Sequence, residues 1–444
     1  MKVAIVGSGI AGLAVAHTLH GHAEITLLEA DEHFGGHSRT VDITLATPQV
    51  WRERGARPAT SFHVDTGFAV FNERSNPNLM NLFNELGVAT AQAQPSMSVQ
   101  LPGALNGGKL EWSSAGPGAV FAQSANTLNW RFVRMLGELP RFNALAARLT
   151  RRGQDDELMQ PLGDFLRQQR FSDEFRDWCL LPLVACIWSC PVEQAPAFPL
   201  ATLVRFSQRH GLLRFGQRSP WRSVLGGARN YVDRITASIA DRRLNTPVRL
   251  IERDAAGVRV LTDGAAERFD KLVLATHPDQ ALALLREPSA GERATLGAIR
   301  FQPHRAVLHT DATVLPDSRR AWAAWNYEDE GAQGIDQPPA RAAVHCLLNR
   351  LQPLPVTQPV LLSLDPLREI APEQVLAEWD DAHAVFDLAA VRAQAGMAAL
   401  QGRQHSYFCG AWMGDGSHED GLRAGLAVAR VLLIEAARQG AGPT

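Results

Sequence analysis

Lysine is almost missing from this chain. Of its 44 lysines and arginines, only Lys2, Lys109 and Lys271 are lysine. Lys2 and Lys271 begin apolar runs and Lys109 lies in a loop-like stretch, so a cofactor site built around an ammonium group is not expected. An excess of charge is missing too. The formal net charge is −2 over 444 residues, which removes the bulk case for binding nucleic acid. Cysteine is sparse, odd in number and scattered (Cys179, Cys186, Cys190, Cys346, Cys409), a pattern that fits a reducing cytoplasm. Cys186 and Cys190 sit in an apolar segment without further ligands nearby, so they read as structural thiols and no metal site is expected. No apolar stretch approaches the ~20 residues that span a bilayer, and the N-terminus enters a strand with no room for a signal peptide.

What is present is concentrated in the first forty residues. Lys2 to Val6 is a short apolar run suited to a buried parallel strand. Gly7-Ser8-Gly9-Ile10-Ala11-Gly12 follows, then a helical stretch from Leu13 to Leu19, then a second apolar run, Ile25 to Leu28, ending at Glu29 and Ala30. This is one βαβ unit. Gly7 permits the tight turn, the bare Gly9 lets backbone approach a pyrophosphate, and Gly12 lets the helix pack closely. The helix start offers free N–H groups to phosphate. Glu29 stands 17 residues past Gly12, where a carboxylate can hold ribose hydroxyls.

Which dinucleotide is bound is indicated downstream. Gly35-Gly36-His37-Ser38-Arg39-Thr40 places flexible backbone and a guanidinium beside the same pyrophosphate. It resembles the second signature of the FAD-binding amine oxidase superfamily, which includes carotenoid desaturases and protoporphyrinogen oxidases. His37 stands here where arginine usually follows the glycine pair. Further stretches resemble bacterial NAD/FAD-binding proteins encoded beside cyclopropane fatty acid synthases, and the oxidase-like domain fused to those synthases in plants: Asp65 to Asn72, Pro182 to Ser189, Gly226 to Val232, Ala275 to Leu282, Leu348 to Leu354, and Cys409 to Gly425. Asp415 and Ser417 replace aromatics expected in the last of these.

The resemblance implies an α/β fold, a Rossmann-like FAD-binding domain interleaved with an α+β substrate domain. Residues 1–75, 216–298 and 400–444 are assigned to the first, 76–215 and 299–399 to the second. It implies non-covalent FAD and a flavin turn at Thr66-Gly67-Phe68. Contacts are also implied near Val248, at Ala275 and Thr276, and at Gly410, Asp420, Gly421 and Leu422. Flavin N5 would accept a hydride in an apolar chamber that excludes water. His418, Glu419 and Asp420 are the candidates for proton handling, His418 first, with Asn72 and His37 behind them; Glu419 and Asp420 also fit as caps of the last helix that accept hydrogen bonds from the ribityl chain. Trp412 is expected against the isoalloxazine or the substrate pocket.

The expected activity is an FAD-dependent oxidoreductase acting on an apolar substrate, fatty-acyl or otherwise lipidic. The alternatives are a flavin amine oxidase or carotenoid-type desaturase, and a non-redox flavoprotein such as an isomerase or a partner of a lipid-modifying enzyme. The predicted helix from Leu128 to Leu149 has basic and apolar residues suited to peripheral contact with the inner membrane, although a solvated helix packed on its own domain also fits.

Overall fold

The computed structural model describes residues 1–46, 59–105, 108–151, 155–211, 220–331 and 341–440. Most of the expected loop rich in arginine and proline between 41 and 61, and the expected boundary at 215/216, lie outside these ranges.

The opening run forms the strand Lys2–Val6 at the centre of a five-stranded parallel sheet. Across the sheet the strands are Asp241–Arg243, Glu24–Leu28, Lys2–Val6, Lys271–Leu274 and Ser406–Phe408. In chain order that is 3-2-1-4-5, a doubly wound arrangement. Its central strands read as unbroken apolar runs because both faces are covered, one by helices and the other by the three-stranded sheet Val248–Asp254, Gly257–Thr262 and Ala266–Phe269 with short helices beside it. The helix Ile10–Leu19 begins earlier than the periodicity suggests, directly at the glycine turn.

The last helix, His418–Gly440, lies across the first. Its small residues make this possible. A Cβ at Gly425 would stand 2.3 Å from the Ala11 carbonyl oxygen, and one at Gly421 would stand 2.8 Å from Ile10. The two ends of the chain are thus locked together at the mouth of the sheet.

A second, seven-stranded sheet is mostly antiparallel. Its order is Val375–Ala384, Phe301–His309, Leu361–Leu364, Ala342–Leu347, Trp325–Asp329, Met97–Leu105 and Gly108–Ser113. Helices between Trp130 and Arg209 pack on one end of it around an aromatic cluster that includes Phe132, Phe142, Phe175, Trp178, Trp188 and Phe198. The expected helix at Leu128–Leu149 is Trp130–Arg151. The long edge strand Val375–Ala384 was not expected. Its run Glu378-Trp379-Asp380-Asp381 looks like a charged loop, but an edge strand tolerates outward charge.

Candidate active site

The glycine turn has the geometry of a diphosphate cradle. Gly7 takes φ +97°, and a side chain there would strike the Ala275 carbonyl oxygen at 2.8 Å. A Cβ at Gly12 would lie 2.0 Å from the Gly7 carbonyl oxygen. At Gly9, by contrast, a Cβ would meet nothing within 4 Å. The helix starting there has no capping side chain and no acid in its first turn. Orphan N–H groups therefore face open space, as an anion requires. Glu29 closes the other side. Its carboxylate accepts from the Ser8 backbone N–H at 2.9 Å, the Ser8 hydroxyl, and the N–H of Ala30 at 2.8 Å. The segment leading to Val248 runs beside it, with Thr246 N–H donating to the Glu29 carbonyl oxygen at 2.8 Å.

The glycine pair Gly35-Gly36 closes over this turn. Gly9 and Gly35 form a backbone bridge, and a Cβ at Gly36 would stand 3.2 Å from Gly9 Cα. Thr40, Thr66, Gly67 and Phe68 then wrap back. Phe68 N–H donates to the His37 carbonyl oxygen at 2.8 Å, and Thr66 N–H to that of Arg39 at 3.0 Å. The buried Asp65 ties these pieces together. Its Oδ1 accepts from Thr40 Oγ1 at 2.6 Å and from Ala228 N–H at 2.8 Å. Burial holds its carboxyl above the ordinary range.

Several expected site residues serve the framework instead. Arg39 does not point at the cradle. Its guanidinium lies 5.0 Å over the Trp379 ring, and Nε donates to His33. Asn72 is fully buried, and its Oδ1 accepts from the N–H groups of Arg74 and Ser75, which makes a turn. Trp412 is buried in the core beneath the parallel sheet, with Nε1 donating to the Thr276 carbonyl oxygen at 3.1 Å. Gly410 leaves room for that indole, since a Cβ there would stand 2.2 Å from Nε1. Asp420 folds back on its own helix start. It accepts from Asp415 N–H, Ser417 N–H and the Ser417 hydroxyl, and pairs with Arg209 and Arg423. Acid therefore already fills this helix start, unlike the first one. Leu422 is core. Glu419 caps a different helix, Pro77–Leu86, by accepting from the N–H groups of Asn78 and Leu79.

His418 is held rather than free. It stacks on Phe68 with centroids 3.8 Å apart, and Nε2 meets the Tyr231 hydroxyl at 2.8 Å, which in turn meets Ser38. Burial pushes its pKa down to about 3. It is therefore neutral at ordinary pH and a weak base there.

A second histidine group escaped the sequence reading. His37 follows the glycine pair and His277 follows Thr276 at the C-terminal end of a parallel strand. His304, Asp381 and His383 come from the facing edge of the seven-stranded sheet. Antiparallel register sets His304 opposite Asp381 and Gln302 opposite His383. His37 Nε2 pairs with Asp381 Oδ1 at 3.2 Å, and this ion pair raises the His37 pKa and lowers that of Asp381. His383 lies 5.5 Å from His37 and 5.1 Å from His304, centroid to centroid. Burial and the nearby His37 charge hold His383 down at about 3 and His277 at about 4. His304 Nδ1 meets Asp365 Oδ2 at 2.6 Å, and its buried Nε2 has no partner, nor has His383 Nδ1. A carboxylate at Nδ1 fixes the proton there and leaves Nε2 as a lone pair.

His37, Asp381 and His383 bring ligand atoms within 4.8 Å of one another. That is the donor set of a divalent-cation site, although the ion pair already satisfies two of the three. A narrow cavity adjoins the group, lined by Trp188, Cys190, Phe198 and Phe386 with His304 and His383. It reaches the C-terminal glycine turn, where Trp188 Nε1 donates to the Asp415 carbonyl oxygen. The three lysines are elsewhere, paired with Glu24, with Glu111 and Asp317, and with Glu435. All five cysteines are free thiols, and burial raises them, four to about 12.

The comparisons agree with this geometry. The profile of the flavin-containing amine oxidoreductases matches residues 10–313, and the chain belongs to that family. Its cofactor is FAD, and the cradle described above fits the diphosphate and ribose of that molecule. Among solved structures, wild-type putrescine oxidase bound to putrescine aligns with a TM-score of 0.65 at 16% identity, covering 98% of this chain and 99% of that one. A CLA-producing fatty acid isomerase from P. acnes aligns at 0.64 and 14%, covering 96% and 98%. Cyclohexylamine oxidase from Brevibacterium oxydans aligns at 0.63 and 16%, covering 97% and 99%. At these identities the likeness concerns the fold. No curated protein matches the sequence significantly. Among the described residues no helix is long and apolar enough to cross a membrane.

Proposed function

We propose that this oxidoreductase takes hydride from an apolar, lipidic substrate, with proton transfer handled at His304 rather than at a lysine or at His418. FAD, when bound, accepts the hydride. Residues 1–75, 216–298 and 400–444 would hold the cofactor, and 76–215 and 299–399 would cover the substrate. The observation that carries the reading is the lining of the narrow cavity between residues 188–198 and the paired strands Phe301–His309 and Val375–Ala384. Trp188, Phe198 and Phe386 stand there beside the neutral Ser189, Gln194 and Gln302, its ionisable groups are imidazoles and the Cys190 thiol, and among the described residues its lining has no carboxylate to receive a protonated amine. His304 supplies a buried lone pair at Nε2 because Asp365 holds the proton on Nδ1. The likeness to a fatty acid isomerase favours, as a second reading, return of the hydride to the same lipid without net oxidation. We place the protein in the cytoplasm, consistent with its free thiols, working beside a lipid-modifying enzyme.

Anaerobic mixing of the FAD-loaded protein with fatty acids, phospholipids and primary amines tests this. Flavin bleaching by a lipid and not by amines is expected. Rapid bleaching by a primary amine, with peroxide on admitting oxygen, would return the assignment to amine oxidase. Double-bond migration without lasting bleaching would select the isomerase reading.

A further inference from the structure

The helix Trp130–Arg151 turns one face to the aromatic cluster, and the described residues leave the other uncovered. Phe132, Met135, Phe142, Ala146 and Leu149 are buried. At about 100° per residue, Trp130, Val133, Arg134, Arg141, Arg148 and Arg151 all fall within a sector of about 100° on the outer side. The face runs about 30 Å. The one acid of this helix, Glu138, is turned inward, where it accepts from Ser172. Four of the seven exposed large hydrophobics among the described residues cluster at the N-terminal end: Phe121, Leu128, Trp130 and Val133, with Leu128 90% and Trp130 68% exposed. At the other end a cleft of about 320 Å³ is lined by Arg141, Arg148, Arg151, Ala144, Leu145 and Gln169. Among the described residues, Arg148 and Arg151 make no ion pair.

A solvated face would not gather aromatic and aliphatic side chains at one end, and a protein core would not leave arginines in a row. Arg134 and Arg141 lie 3.9 and 4.0 Å from the inward-turned Glu138, so among the described residues the unpaired charge of the stripe is that of Arg148 and Arg151. Apolar anchors beside this arginine stripe complement one surface in particular, the headgroup layer of an anionic bilayer, where aromatic and aliphatic side chains insert and guanidinium groups meet phosphate. We propose that this helix face docks the protein on anionic phospholipid, with the cleft at its C-terminal end receiving a headgroup phosphate. The inner face of the same helix belongs to the hydrophobic cluster that includes Trp188, at the edge of the cavity. The docking face is defined without reference to the substrate, so its failure would leave the flavin chemistry untouched.

The test is co-sedimentation of the full-length, FAD-loaded protein with vesicles of phosphatidylcholine alone or mixed with phosphatidylglycerol. Binding to the mixed vesicles only, weakened by salt, is expected. At about fivefold per guanidinium near the surface, Arg148→Glu with Arg151→Glu should lower partitioning at least about thirtyfold. Trp130→Ala should lower it with the salt dependence kept. Both changes lie on the solvent side, so flavin absorbance should stay as in the parent. An environment-sensitive dye on Val133→Cys should shift to the blue with mixed vesicles alone. Equal binding to both vesicle types, no binding to either, or a self-associated state abolished by Trp130→Ala would each overturn the proposal.

Discussion

Replacing Gly9 by alanine should separate cofactor binding from folding. In the structure an added Cβ at Gly9 meets nothing within 4 Å, and the residue has φ −62° and ψ 174°, open to any amino acid. The apoprotein should therefore lose at most about 1 kcal/mol, the difference between glycine and alanine at a helix N-cap. The open space is where the diphosphate must lie, so the methyl group should weaken FAD by about tenfold or more, or about 1.4 kcal/mol. Gly12→Ala is the opposite case. Helix propensity alone would favour it by about 1 kcal/mol. Its Cβ would stand 2.0 Å from the Gly7 carbonyl oxygen, and backbone cannot yield as a flexible side chain would. Overpacking of this kind costs about 1–3 kcal/mol or more, so the apoprotein should melt several degrees lower. Thermal melts of the apoproteins, with FAD titrations followed by flavin fluorescence, measure both quantities. If Gly9→Ala binds FAD as tightly as the parent, the cradle is not where the cofactor sits. If Gly12→Ala stabilises the apoprotein, the close turn is misread.

Further outcomes follow from the same geometry. His210, His277, His309, His383 and His418 are held at about 3 to 4, below their unfolded value of about 6.5. Their folded pKa values are depressed, so the unfolded chain binds more protons between these limits, and apoprotein stability should fall as pH drops from about 6.5 toward 4, by up to about 1.4 kcal/mol per pH unit for each histidine. Stability that is flat across that window in denaturant titrations would contradict their burial. Asp365→Asn should release the His304 proton from Nδ1 and change the pH dependence of flavin reduction, whereas His418→Gln should leave its shape unchanged; the reverse pattern would restore His418 as the proton carrier. Replacing all three lysines by arginine should leave the rate of flavin reduction unchanged, and loss of reduction with FAD still bound would show that one of them takes part.

The cofactor end of this protein was legible because its requirements are local. A strand, a bare turn, a helix start and an acid must follow one another within thirty residues, and each imposes a residue type: glycine where a Cβ would strike the Gly7 carbonyl, Glu29 where it can accept from Ser8. The histidine group was not legible because nothing local marks it. His37, His277, His304 and the Asp381–His383 pair lie far apart in the chain, and only the register of Phe301–His309 against Val375–Ala384 unites the last two segments. Trp412 and Asn72 were misjudged for a related reason. A polar or aromatic residue beside a binding motif can face the crevice or the core, and sequence does not say which. Both face the core here. Glu419 shows the same limit, since an acid in a helix's first turn capped a neighbouring helix instead.

The most direct measurement is the visible absorbance spectrum of the purified protein, taken before and after incubation with FAD and gel filtration. The account predicts the two-banded spectrum of oxidised flavin co-eluting with the protein and a higher melting temperature than the apoprotein. A protein that stays colourless after loading, with an unchanged melting temperature, would contradict it.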